Sequence, residues 1–143
     1  MIKRQGSILV ETVIALFVLL ICSQISLKIS IDMYKSVSIR KSTILLREGL
    51  NSVCSDIKYN VAFDDINSIL QSAQYQILYD DKFNEKMLEN KLLDMDISND
   101  DENYIRIGII DYKEGQLKIN VIGKYKGVEM EQIINKAPWM DEV

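Results

Sequence analysis

The sequence predicts an α+β fold in which one long N-terminal α-helix, membrane-spanning in its first half and amphipathic in its second, packs against a C-terminal antiparallel β-meander. Three observations carry that expectation. The 21 residues from Ser7 to Leu27 include a single charge; Leu46, Leu50, Val53, Ile57 and Val61 recur at helical spacing; and from Tyr104 onward apolar and polar residues alternate between turn signals. A chain of 143 residues leaves room for one domain of ordinary size beyond the apolar segment.

The first element is the apolar run. At about 1.5 Å per residue a helix from Ser7 to Leu27 crosses roughly 30 Å of hydrocarbon. Lys3 and Arg4 precede it, which holds that end in the cytoplasm and puts the chain after Lys28 on the outer side, as a single span. Neither conventional cleavage signal fits. Ile21-Cys22-Ser23-Gln24 lacks the small residues of a secretory cut site, and Ile21 is too bulky for the position before a lipoprotein cysteine. Glu11 lies near the start of the run, where a carboxylate costs from about 2.5 kcal/mol upward on insertion scales, so a function is expected of it.

These residues resemble the class III signal of type IV prepilins and pseudopilins. A short basic leader ends in Gly6, a glutamate follows at Glu11, and about sixteen uncharged residues come directly after it. The resemblance implies a pilin-like ladle fold. It also implies a prepilin peptidase as partner, cutting between Gly6 and Ser7 and methylating the new N-terminus at Ser7, with Glu11 docking the subunit against other pilin or pseudopilin subunits. Residues 1–6 would then be the cleaved leader, 7–27 the membrane and filament-core segment, and 28–143 the exported head with the second half of the helix. Ser7 stands where the family usually has Phe, and Lys28 where many major pilins have a kinking Pro; with the Glu11-Thr12-Val13-Ile14-Ala15-Leu16 run these departures point to a minor subunit. Pilus, secretion and DNA-uptake machines use such subunits alike, first in the cytoplasmic membrane and then in a cell-surface or periplasm-spanning filament. The alternative reading is a single-span anchor carrying an external binding module that does not polymerise.

The amphipathic stripe predicts that the helix continues to about Tyr59, some 80 Å in all at 1.5 Å per residue. Gly49 is expected either to bend the helix or to mark a close packing contact. Beyond it, Ile66, Ile69 and Leu70 suggest a helical turn, Tyr75, Ile77 and Tyr79 alternate as a strand would, and Phe83 to Leu93 reads as helix. Tyr104 to Tyr112, Leu117 to Tyr125 and Val128 to Ile134 then form a three-stranded meander, with turns at Lys113-Glu114-Gly115-Gln116 and Lys126-Gly127. Its apolar face is expected against the helix stripe, and Trp139 over a sheet edge. The resemblance would supply a C-terminal disulfide, but no Cys follows Cys54, so the head is expected to rely on its apolar core or on a bound ion.

Composition excludes several function classes. With no His there is no imidazole base and no His-ligated metal, and a chain this small with its apolar residues committed to one core has little room for a catalytic cleft, so no enzyme and no cofactor are expected. A net charge of -4 with scattered Lys and Arg offers no basic stripe for nucleic acid, although a DNA-uptake machine stays open. Asp94, Asp96, Asp100 and their neighbours crowd one loop as a weak Ca2+ candidate; Asn99 and Ile105 occupy the positions where an EF-hand needs Gly and Glu, which favours a solvated acidic loop. Cys22 and Cys54 are expected to be free thiols, with Cys54 a buried small hydrophobe.

Overall fold

The computed structural model describes residues 2–72, 75–90, 92–95, 97–113 and 115–142, apart from the side chains at 2–7, 71, 72 and 142. By compactness the chain divides into Met1–Ser38 and Ile39–Val143.

The helix α1 runs over Ile2–Tyr59. It ends where the apolar stripe predicts and begins five residues earlier than Ser7, because nothing between Ile2 and Ser7 breaks a helix and Gly6 alone costs only about 1 kcal/mol relative to Ala. At its C-terminus Asp56 collects the loose ends: its carbonyl accepts the N–H groups of Asn60 and Val61, and its carboxylate accepts the Asn60 amide at 2.6 Å.

In the second unit α1 supplies Leu46, Leu50, Val53 and Ile57, each fully buried, to a core completed by Ile105, Ile107, Ile119 and Val121. The sheet comprises β1 (Tyr75–Leu78), β2 (Tyr104–Lys113), β3 (Gln116–Tyr125) and β4 (Val128–Lys136), antiparallel throughout and in sequence order. Gly123 in β3 lets the helix approach closely, since a Cβ there would lie 2.8 Å from Leu46 Cδ1. Lys126 and Gly127 both adopt left-handed backbone, with φ of 48° and 79°, and turn β3 into β4.

The meander therefore has four strands where three are expected. The Tyr75–Ile77 alternation is a strand, and it joins the sheet beside β2 through pairs from Tyr75↔Ile107 to Leu78↔Tyr104. A short alternating run shows that a strand forms but not which distant edge it meets. The Phe83 to Leu93 helix is also shorter than expected: α3, after α2 (Phe63–Ser72), spans Phe83–Glu89, Asn90 turns extended, and a separate 3-10 turn covers Leu92–Asp94. Leu92 is fully buried, its N–H held by the Asp56 carboxylate at 3.0 Å, so the chain leaves the helical path to bury that side chain.

Candidate functional site

The N-terminal site predicted from sequence lies wholly on α1. The side chains of Lys3, Arg4, Gly6 and Ser7 lie outside the described residues; their backbone is helical, so position 7 and Glu11 stand one turn apart on a common face. Glu11 is exposed. From Ile8 to Leu27 every residue is exposed, including Leu9, Phe17 and Leu19 at more than 60%. α1 is long and apolar enough near the N-terminus to span a membrane.

Two hydroxyls within this segment are handled locally. Thr12 donates to the carbonyls of Ile8 and Leu9 at 3.0 and 2.8 Å, and Ser26 donates to Cys22 at 2.9 Å. A hydroxyl bonded one turn back hides its polarity inside the helix, so it does not demand water from the surroundings. The backbone thus absorbs these two hydroxyls, and Glu11 is left as the charged group of the stretch.

The acidic loop is organised by its own backbone. Asp94 closes the 3-10 turn, Asp96 lies outside the described residues, and the Asp100 carboxylate accepts the N–H groups of Glu102 and Asn103 at 2.8 and 3.4 Å. The Asp100 carbonyl accepts the Gln76 amide at 2.7 Å. Among the described residues no three His, Cys, Asp or Glu side chains are placed to hold a metal ion.

Three features of the head escape sequence reading. Lys136 is completely buried and donates to the Asp141 carboxylate and to the Lys58 carbonyl at 3.0 Å. Its inward position follows from the β4 alternation through Val128, Met130, Gln132 and Ile134, a signal that its charge obscures. Second, the Tyr125 hydroxyl donates to Asp81, and Lys126 pairs with the same carboxylate at 3.2 Å; these contacts hold the Asp81 carboxyl below its ordinary range. Third, Trp139 is 60% exposed in a 3-10 turn over Pro138–Glu142 and lines a groove beside the edge strand β4 with Ile133, Ile134 and Asn135.

Cys54 and Cys22 are free thiols. Cys54 is buried, its Sγ donates to Gln132 Oε1 at 3.1 Å, and burial pushes the thiol up to about 11. Against protein-family models, curated proteins and solved structures, the chain finds no match.

Proposed function

We propose that the chain is a minor type IV pilin or pseudopilin, a structural subunit cut between Gly6 and Ser7 and built into a pilus-like filament through its N-terminal helix. The observation that carries this reading is the spacing of Gly6 and Glu11 at the head of an otherwise uncharged apolar helix. A plain membrane anchor needs no carboxylate there and bears its cost without return.

The chemistry of the docking step follows from the two groups that processing would bring into the bilayer. Cutting after Gly6 creates an ammonium on Ser7, a charge as costly in lipid as Glu11. An incoming subunit that sets its Glu11 against the Ser7 ammonium of a neighbour neutralises both, and one such pair fixes the axial stagger of the two helices. The exposed apolar side chains from Ile8 to Leu27 would exchange lipid for the helices of adjacent subunits. The head, folded around residues 46–57 of the same helix, would be carried to the filament surface.

Glu11→Ala tests the reading. In cells that hold a prepilin peptidase and a filament machine, the wild-type chain is expected in sheared filaments or in cross-linked ladders with other subunits. The variant is expected to stay in the membrane at normal abundance, unassembled. Equal assembly of the two proteins would remove the docking role, and membrane retention of both without assembly would favour the non-polymerising anchor.

A further inference from the structure

The two edges of the sheet are finished differently. Along the outer edge of β1, Ile77 bridges to Ile97 and the Ser98 N–H donates to the Gln76 carbonyl at 2.9 Å. β4 pairs with β3 in unbroken register from Val128 to Lys136 and with no other strand, so alternate residues turn their N–H and C=O groups away from the ladder. Among the described residues no backbone group of β4 bonds to another segment. Proteins commonly protect such an edge with proline, a bulge or an inward charge. β4 has no proline and no bulge, and its inward Lys136 is taken up by Asp141.

Beside that open edge runs a groove of about 490 Å³ between the end of α1 and β4, where Tyr59, Ile133 and Trp139 remain 72%, 52% and 60% exposed. It continues along the strand into a second groove bordered by Asn51 and Gln132. Exposed aromatic and branched apolar side chains next to unpaired backbone groups are the two components that strand addition uses: the ladder gives affinity and the groove selects side chains. Further along the strand Glu129 and Glu131 are exposed, and neither joins an ion pair among the described residues.

We propose that β4 accepts an extended strand from a partner protein, with basic residues opposite Glu129 and Glu131 and an apolar residue at Ile133. The charge pattern disfavours a second copy of this chain paired through the same strand, which would bring another Glu129 and Glu131 to the seam and set four glutamates along it. Glu129, Glu131 and Ile133 share one face of β4, so a strand with two basic residues and one apolar residue at successive alternate positions complements what β4 presents.

Trp139 is the sole tryptophan and lies in the groove, so its fluorescence reports occupancy directly. The probe is a capped nonapeptide of valine and threonine in which three successive alternate positions carry valine, lysine and lysine, matched antiparallel to Ile133, Glu131 and Glu129, titrated into the full-length chain held in zwitterionic micelles. Two further versions carry N-methyl groups on alternate amides, one version in each parity. A saturable blue shift of Trp139 is expected with the unmodified peptide and with one N-methylated version, and is expected to be lost with the other, because only one set of amides faces β4. A glutamate-for-lysine peptide, or the Glu129→Lys/Glu131→Lys chain, should weaken binding by about tenfold or more. The absence of a shift with the unmodified peptide, equal binding by both N-methylated versions, or insensitivity to charge reversal would each overturn the proposal.

Discussion

The buried ammonium of Lys136 and the carboxylate of Asp141 tie the end of the chain to its middle. Lys136 also donates to the Lys58 carbonyl at the end of α1, and the second oxygen of Asp141 accepts the Phe63 N–H at 2.7 Å, capping the start of α2. The end of α1, the start of α2 and the 3-10 turn over Pro138–Glu142 thus meet at one ion pair, in a head where no disulfide closes the C-terminal region. Asp141→Ala strands a fully buried cation and is expected to destabilise the head by about 2–4 kcal/mol. Lys136→Met leaves a carboxylate that is still 31% exposed and hydrated, and is expected to cost less than half as much. Chemical denaturation followed at Trp139 measures both.

The same pair sets a pH dependence. Asp141 is held below the ordinary carboxyl range, first by its hydrogen bond from Lys136 and then by the Phe63 N–H. A depressed folded-state pKa contributes stability above the unfolded value, about 3.9, and that contribution is lost as pH falls through the folded value. Stability should therefore drop on acidification below about pH 4, and Asp141→Asn should flatten part of that drop. Asp81, lowered by Tyr125 and Lys126, titrates in the same direction and accounts for some of the remainder. Denaturation midpoints of both proteins between neutral and strongly acidic pH show the difference.

Gly49 resolves to a packing contact. A Cβ at this position would lie 2.5 Å from Cε2 of Tyr79, whose hydroxyl donates to the Leu45 carbonyl at 2.5 Å and whose ring packs on Phe83 and Tyr125 at centroid distances of 4.9 and 5.0 Å. Tyr79 is held on several sides and has little room to yield. Gly49→Ala gains about 1 kcal/mol of helix propensity, yet is expected to destabilise by about 1–3 kcal/mol through overpacking. In a Tyr79→Leu background, which clears the space, the same substitution should become neutral or stabilising. A double-mutant cycle in denaturant reads the coupling.

Cys54 should be chemically silent. With its thiol pushed up by burial to about 11 and its Sγ bonded to Gln132, it is expected to react with maleimide more than a hundredfold slower in the folded chain than after denaturation. Peptide mapping of labelled Cys54 before and after denaturation gives the ratio.

Much of this fold is legible in the sequence because its largest elements are periodic. The stripe from Leu46 to Ile57 places the helix face, its end at Tyr59 and the core partner, and the alternation after Tyr104 places β2, β3 and β4 within a residue or two. What escapes notice depends on distant partners. Tyr75 to Leu78 alternates too briefly to reveal that it pairs with β2, and Leu92 leaves the α3 path for a pocket that only the folded α1 creates. Lys136 shows how a strong local prior misleads: charge marks it as a surface residue, while strand parity and an aspartate five residues later put it in the core. At the N-terminus the roles proposed for Gly6, Ser7 and Glu11 rest on their spacing and its resemblance to a prepilin signal, and would depend on sequence and helix position, not on tertiary assembly within one chain.

The state of the N-terminus is the first thing to determine. Intact-mass and N-terminal peptide analysis of the full-length chain, co-expressed with a prepilin peptidase and separately without it, should find Met1 to Gly6 removed and Ser7 N-methylated only where the peptidase is present. An uncut N-terminus in both preparations would contradict the pilin reading and leave a membrane anchor with an external head.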